Sequence, residues 1–387
     1  MSFTVHVRRE RWHRHQDAVW DAITQAAGAA PVPVIKGNGY GLGQEFLTER
    51  AVRLDADTVA VGTVWEVDSV ASQGNHDIVV LQPFDPRDTT AAAEWWRLGE
   101  SLHAGRVIRT VDSASALLAL CQGPGSVRVI LEARSSVQRF GMTESQLLEL
   151  LADSRVRGAL ERARILIEGL SVHLPLVQPK AVPKLKGVVG TPRVHEVVRW
   201  AGLWHSQTHV WTGHNAPASR IWASHLNDDE TALIVASVPD IVLRLRVGTR
   251  LWLGDRGALQ AYGTVLAATL VKENTPAGYR QRTGPSDGTL VVIGGGTAHG
   301  VGLSAPTPAT RMRQRVVTVG TGVLAAVSRS MSPFTWAGKQ RWFAEPPHQH
   351  VSLVWLPWGC DIPAVGDLVP AEVRFTTSRF DAVVLTD

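Results

Sequence analysis

The chain has 387 residues, 44% of them hydrophobic and 19% charged, with a net charge of +4. The length is too great for one ordinary core and predicts two domains, and the composition excludes a disordered chain. Its 39 basic residues are scattered, without a like-charge block or a basic–aromatic stripe, and Cys121 and Cys360 stand far apart without a CxxC spacing, so neither nucleic-acid binding nor a disulfide framework is expected.

The opening run SFTVHVRRERW (2–12) reads as a strand leading into a helix. It carries no apolar run after its charges and so does not read as a secretory signal. No segment approaches the roughly 20 apolar residues of a membrane span, and a reducing cytoplasm is the expected compartment. From residue 30 to about 250, short β-branched runs recur. They are PVPVI (31–35), DTVAVG (57–62), DIVVLQ (77–82), RVIRTV (106–111), VRVILE (127–132), ILIEGLSVH (165–173), THVWTG (208–213) and IVLRLRVG (241–248). Helix-like stretches lie between them: QEFLTERAVRL, VWEVDSVASQ, SASALLAL, ESQLLELLADS and VHEVVRWAGLW. In ESQLLELLADS, Leu147, Leu148, Leu150 and Leu151 gather on one helical face. Apolar strands alternating with amphipathic helices read as parallel βα units, and eight of them predict a (β/α)8 TIM-like barrel, with a doubly wound open sheet as the alternative. After Gly254 helical periodicity fades. ALQAYGTVLAATLV, GTLVVIGG, RVVTVGTGVL, HVSLVWLPW and AEVRFTTSRFDAVVLTD are separated by Gly, Pro, Asp and Ser, which predicts an all-β domain. The expected boundaries are therefore 1–250 for the barrel and 251–387 for the β domain, with residues 1–12 able to pair with the latter.

Barrel enzymes place their chemistry at the C-terminal ends of the strands. Lys36 ends the first predicted strand and His173 the sixth; His214 and Asn215 follow the seventh; Arg246, Gly248 and Thr249 end the eighth. A lysine in a partly desolvated site has a lowered pKa and can form a Schiff base with a carbonyl cofactor. The glycines after it, in GNGYGLG, let backbone N–H groups approach an anion. The loop is neither a dinucleotide fingerprint, because Leu42 stands at the third glycine position, nor a Walker loop, because the lysine precedes the glycines. GGGTAHG (294–300) fails the dinucleotide pattern too and reads as a turn between strands. His205 and His209 are four apart but lack the Glu of HExxH, so no metal site is expected, and no GxSxG nucleophile motif occurs.

VIKGNGYGLG resembles the signature of the alanine racemase family, the fold-type III pyridoxal-phosphate enzymes: a strand, Lys, a small residue, Asn, a small residue, Tyr, Gly, His, Gly. The resemblance continues through RFG (139–141), EGLSVH before Leu174, RVGTRLWLG (246–254), and PAGYRQRT, VVIGGGTAHG and IPAVGDLV further on. It implies a barrel plus a β domain, pyridoxal 5'-phosphate as cofactor, a small amino acid as substrate and a homodimer with shared active sites. It also implies a D-amino acid product of the kind used in bacterial cell walls. By the same resemblance, Lys36 holds the cofactor and is one catalytic base. Tyr40 donates to the phosphate, Arg139 and His173 contact the cofactor, and Arg246 faces the pyridine nitrogen. Asn215, Gly248 and Thr249 contact the phosphate, and Tyr279 is the base on the opposite face. Only three tyrosines occur, Tyr40, Tyr262 and Tyr279, and two of them fall where the family needs a phenol.

The chain also departs from the pattern. The family histidine after Tyr-Gly is Leu42, and Glu132 stands where many members carry a lysine. Ala216 replaces the serine of the Asn-Ser pair, with Ser219 a candidate substitute, and Trp252 replaces a tyrosine. The Met-Asp pair that lines the substrate path is Leu353-Val354, and no tyrosine follows Tyr279. The expected activity is two-base racemisation of a small amino acid by Lys36 and Tyr279. The alternatives are a pyridoxal-phosphate-binding protein without racemase turnover, and another fold-type III reaction such as decarboxylation.

Overall fold

The computed structural model describes residues 2–209, 211, 215–284, 286–303 and 330–387. The chain forms two compact units, one from Arg14–Gly39 and Gly43–Gly254, the other from Met1–His13, Tyr40–Leu42 and Asp255–Asp387. In chain order the elements to residue 254 are β1 (Phe3–Arg8), α1 (Arg9–Ala27), β2 (Val32–Pro33), α2 (Gln44–Arg53), β3 (Thr58–Val61), α3 (Val67–Ala71), β4 (Asp77–Val80), α4 (Thr89–Gly99), β5 (Val107–Val111), α5 (Ala114–Gln122), β6 (Val127–Glu132), α6 (Glu144–Ala152), α7 (Ser154–Glu161), β7 (Ile165–Val172), α8 (Pro192–Thr208), β8 (Arg220–Ser224), α9 (Asp228–Ser237), β9 (Val242–Val247) and α10 (Thr249–Leu253).

Strands β2 to β9 make an eight-stranded parallel sheet in the order β2-β9-β8-β7-β6-β5-β4-β3. A parallel bridge between Val34 and Ala60 joins the two ends, where the Ile35 N–H donates to the Ala60 carbonyl at 2.7 Å. This is the expected (β/α)8 TIM-like barrel. Covered on both faces, its strands are almost wholly apolar; β3 is buried at every position. Val34, Ala60, Val79, Ile108, Ile130 and Trp222 pack together as an interior cluster. The helices begin where side chains satisfy their free N–H groups. Thr143 and Gln146 form a capping box on α6, Asn227 and Glu230 another on α9, and Thr191 caps α8 ahead of Pro192. On α6 Leu147, Leu150 and Leu151 are buried, whereas Leu148, expected on the same face, is only partly buried.

One strand is misplaced by the sequence reading. THVWTG (208–213) supplies no strand among its described residues, because Thr208 still belongs to α8; the seventh strand is RIWAS, β8. His214 lies outside the described residues.

The second unit contains β1 and, after residue 254, β10 (Leu259–Val271), β11 (Pro276–Ala277), β12 (Arg282–Thr283), β13 (Gly288–Gly294), β14 (Met331–Trp336), β15 (Lys339–Phe343), β16 (Val351–Pro357), β17 (Leu368–Ala371) and β18 (Ala382–Thr386). Its main sheet runs β13-β16-β15-β14-β17-β10-β1-β18, and β10 also pairs with β13, bending the sheet back on itself. β1 is antiparallel to β10, with Phe3 opposite Gly263, and parallel to β18. Inside pack Phe3, Val265, Ile293, Phe334 and Val354. RVVTVGTGVL (315–324) lies outside the described residues.

Candidate active site

At the first strand's end the backbone is anchored from two sides. Trp252, fully buried on α10, donates its indole N–H to the Val34 carbonyl at 2.9 Å, and Ile35 bonds to β3. Lys36, the next residue, therefore emerges at the barrel mouth. Gly37, Gly39 and Gly43 all adopt positive φ, which a side chain would oppose. The Glu66 carboxylate holds this turn. It accepts the N–H groups of Gly37 at 3.1 Å and Gly62 at 2.9 Å, and the Gln44 amide at 2.9 Å.

Lys36, Glu132, Arg139, Phe140, His173 and Arg246 line a cavity of about 210 Å3 at the mouth. Arg246 enters from β9 and is buried, and among the described residues its Nε and Nη2 have no hydrogen-bond partner. Burial pushes its pKa down; the Glu132 carboxylate counters this. Glu132, at the end of β6, is itself pushed up by burial and pulled down by Arg246. Burial also lowers the Lys36 pKa, and the charges of Arg139 and Arg246 lower it further, against the opposing pull of Glu66. A lysine so placed carries more of its free-amine form at neutral pH than a solvated one.

His173 follows β7. Its Nδ1 is hydrogen-bonded to the Ser224 hydroxyl at 2.8 Å, and its carbonyl accepts the Ser135 hydroxyl. Burial, then the nearby charges of Arg246, His225, Arg139 and Lys36, hold its ring pKa down at about 3. The imidazole is thus neutral, and its ring centroid lies 5.2 Å from that of His225. Arg139 is carried on a loop tied down by buried Glu196 of α8, which accepts the Ser136 N–H at 2.5 Å and its hydroxyl at 2.6 Å. The guanidinium lies over the Phe140 ring, 5.0 Å from its centroid.

The cavity thus gathers Lys36, Arg139, His173 and Arg246. Gly248 and Thr249 follow directly on β9 at the same end of the barrel. Asn215 does not belong with them. It lies in the loop that enters β8 from its N-terminal end, opposite the mouth, so its assignment after the seventh strand is corrected. The residues at the mouth end of that strand are Ser224 and His225. Ser224 and Glu66 were missed by the sequence reading. The IWASH run around Ser224 carried a signal, whereas nothing local marked Glu66.

Tyr40 and Tyr279 belong to the other unit. Tyr40 is buried, and burial pushes its phenol up to about 12, so it remains an O–H donor at neutral pH. Tyr279 sits between β11 and β12, 85% exposed, its ring stacked on His348 at 4.3 Å. Glu345 accepts the Tyr279 N–H at 3.1 Å and binds His348 Nε2 at 2.5 Å. Gly278 makes that approach possible: its φ is +72°, and a Cβ there would lie 2.1 Å from the Glu345 carboxylate. His205 and His209 stack at 5.4 Å, with His209 Nδ1 3.0 Å from the His205 carbonyl, and among the described residues no group of three His, Cys, Asp or Glu could hold a metal ion.

A parallel barrel with a lysine at the mouth after its first strand and a buried arginine on its last, followed by an antiparallel β domain, is the architecture shared with the solved racemases below. Residues 16–186 match the family profile described as alanine racemase, N-terminal domain. Among solved structures it is similar to the histidine racemase from Leuconostoc mesenteroides subsp. sake NBRC 102480, at 15% identity over 100% of this chain and 98% of that one, with a TM-score of 0.62. It is similar to the alanine racemase from Bartonella henselae with covalently bound pyridoxal phosphate, at 13% identity, 100% of both chains and a TM-score of 0.62. It is also similar to the alanine racemase from E. faecalis, at 16% identity over 96% and 88% of the chains, with a TM-score of 0.59. No curated protein sequence matches the chain. Among the described residues no helix is long and apolar enough to cross a membrane.

Proposed function

We propose that the chain is a pyridoxal-phosphate-dependent amino-acid racemase acting on a small amino acid. The observation that carries this reading is Arg246: a buried guanidinium with Nε and Nη2 unpartnered, opening on the cavity that Lys36 also lines. Two orphaned N–H groups in a buried site call for an acceptor. The pyridine nitrogen of the cofactor is such an acceptor, and the depressed pKa of Lys36 suits attachment of an aldehyde, so the residues present fit the group. When bound, pyridoxal 5'-phosphate supplies the electron sink that acidifies the substrate Cα–H.

The chain's own residues would do the rest. Arg246, as a guanidinium, would keep the cofactor's ring nitrogen unprotonated, because two adjacent cations repel. This favours simple proton transfer over decarboxylation. Tyr40, Gly248 and Thr249 are the proposed donors to the phosphate. Neutral His173, held by Ser224, would contact the cofactor, and Arg139 gives the mouth further positive charge. Lys36, as free amine, takes the proton from one face of Cα. Tyr279, exposed on its hairpin and supplied by a second copy of the chain, returns one to the other face, so no net proton is gained or lost.

Purified protein should be yellow, and the visible band should disappear with borohydride or in Lys36→Ala; a colourless protein would overturn the reading. Incubation with L-alanine and L-histidine in deuterated water should give Cα exchange that is reduced in Tyr279→Phe. A second reading, cofactor binding without racemase turnover, is favoured by one observation. Leu353 and Val354 are buried apolar residues of β16, where the family lines the substrate path with Met-Asp. Bound cofactor without exchange of any amino acid would select it.

A further inference from the structure

Five arginines stand on the barrel strands: Arg109, Arg128, Arg220, Arg244 and Arg246. Three are ion-paired. Arg128 reaches Asp77 at 2.6 Å and Glu168 at 2.7 Å, Arg220 reaches Glu168 at 2.8 Å, and Arg244 reaches Asp57, with a second contact at 3.1 Å. Among the described residues the other two have no carboxylate within ion-pair distance. Arg246 opens on the candidate cofactor cavity. Arg109 opens on a different one.

Ile108 of β5 points into the barrel, where it joins the interior cluster, so its neighbour Arg109 points outward. It emerges in a groove between α4 and α5 of about 620 Å3, within the range of small-molecule sites. The walls are Phe84, Trp95 and Trp96 on one side and Ala119, Leu120 and Val127 on the other. Only Arg109 and Glu100 carry charge among the lining residues, and Glu100 is exposed just past the end of α4. The Arg109 guanidinium lies 4.7 Å from the Trp95 ring centroid and 5.7 Å from that of Phe84. Burial without a compensating anion lowers its pKa to about 10. Aromatic faces attract a cation but leave its N–H edge free for an acceptor.

We propose that this groove is a second ligand site, which takes an organic monocarboxylate with an apolar body. Its carboxylate meets the free edge of Arg109 and its body lies between the tryptophan wall and α5. The planar fork of a guanidinium matches one carboxylate in two parallel hydrogen bonds. A phosphate would call for further donors that the apolar walls do not offer. The site is distinct from the mouth cavity: it shares no lining residue with it and opens on the outer face of the sheet.

The test is calorimetric titration of the full-length protein with indole-3-acetate and with octanoate, and with indole-3-ethanol as the neutral control. Both acids should bind, and the alcohol about tenfold or more weakly, since a charged hydrogen-bonded pair is lost. Arg109→Met should weaken the acids by about tenfold or more and leave the alcohol unchanged. Ala119→Trp, which fills the groove from the opposite wall, should abolish binding of all three. Lys36→Ala should bind as the wild type does, which separates this site from any carboxylate binding at the mouth. Preference for the indole acid would mark an aromatic ligand, and preference for octanoate an aliphatic one. Failure of either acid to bind at millimolar concentration, undiminished binding in Arg109→Met or in folded Ala119→Trp, or loss of binding in Lys36→Ala would overturn the proposal.

Discussion

His173 offers a pH test of the mouth's electrostatics. In an unfolded chain a histidine titrates near about 6.5, whereas burial and the surrounding cations hold this one at about 3. Between those values the unfolded state binds a proton that the folded state refuses. Stability is therefore flat above the unfolded pKa and falls as pH drops below it. From pH 7 to pH 5 the full effect is about 2 kcal/mol, at about 1.4 kcal/mol per pH unit over the roughly 1.5 units below 6.5. The ring is half-buried, so solvent screening reduces this to about 1 kcal/mol. Urea unfolding of wild type and His173→Gln at both pH values gives the difference. Wild type should lose about 1 kcal/mol more than the variant on acidification. In NMR the His173 Cε1–H resonance should not titrate between pH 8 and about pH 5. A His173 that titrates at 6 or above, or equal acid losses in the two proteins, would refute the reasoning that the mouth is a strongly cationic, partly desolvated site.

Three further substitutions probe the same framework. Trp252→Phe removes the indole donor and leaves the buried Val34 carbonyl unpaired, so the urea midpoint should fall by the equivalent of about 1–3 kcal/mol, with weaker cofactor retention at Lys36 measured by absorbance. Arg246→Leu should leave stability within about 1 kcal/mol of wild type or raise it, because a buried cation without an ion-pair partner is costly, while the visible cofactor band is lost. Gly278→Ala forces a left-handed residue and drives a methyl into Glu345, so thermal melting should show the β domain destabilised by about 1–2 kcal/mol or more, and Cα exchange should fall with it.

Much of this was legible in the chain because parallel strands buried on both faces leave continuous apolar runs. Seven of the eight barrel strands overlap such runs. The seventh was misplaced because THVWTG is β-branched while RIWAS carries two residues that read poorly as strand core. Only tertiary partners explain them: Trp222 fills the barrel interior, and Arg220 pairs with Glu168. That displacement carried Asn215 to the wrong end of the barrel. Lys36, His173 and Arg246 could be placed at one end of the barrel from the sequence because each ends, or nearly ends, an apolar run. Glu66 was not, because its role consists of bonds to residues 29, 22 and 4 positions away. The part Trp252 plays in anchoring β2 was likewise invisible, being a contact across 218 positions of sequence.

The departures from the family pattern do not all have the same physical standing. Glu132, in place of a lysine, is a buried anion among cations, and with Arg139 and Arg246 on the same cavity it tempers a positive charge that would otherwise be unopposed. Trp252, in place of a tyrosine, keeps an N–H donor aimed at the strand that presents Lys36. These two changes keep a cationic mouth able to hold an anionic cofactor. Leu353 and Val354 are different. Both are buried on β16, opposite Val292 and Val291 of β13, and Val354 packs in the core with Phe334 and Val265. A carboxylate at position 354 would have to be desolvated among these residues, at a cost no single neighbour offsets. The strand has thus been rebuilt as core, and restoring the family aspartate would unfold it rather than reopen a path. On the proposed reading, the residues that would hold the cofactor and those at the family's substrate path have therefore changed independently, and the second group is where this chain departs further from the family pattern.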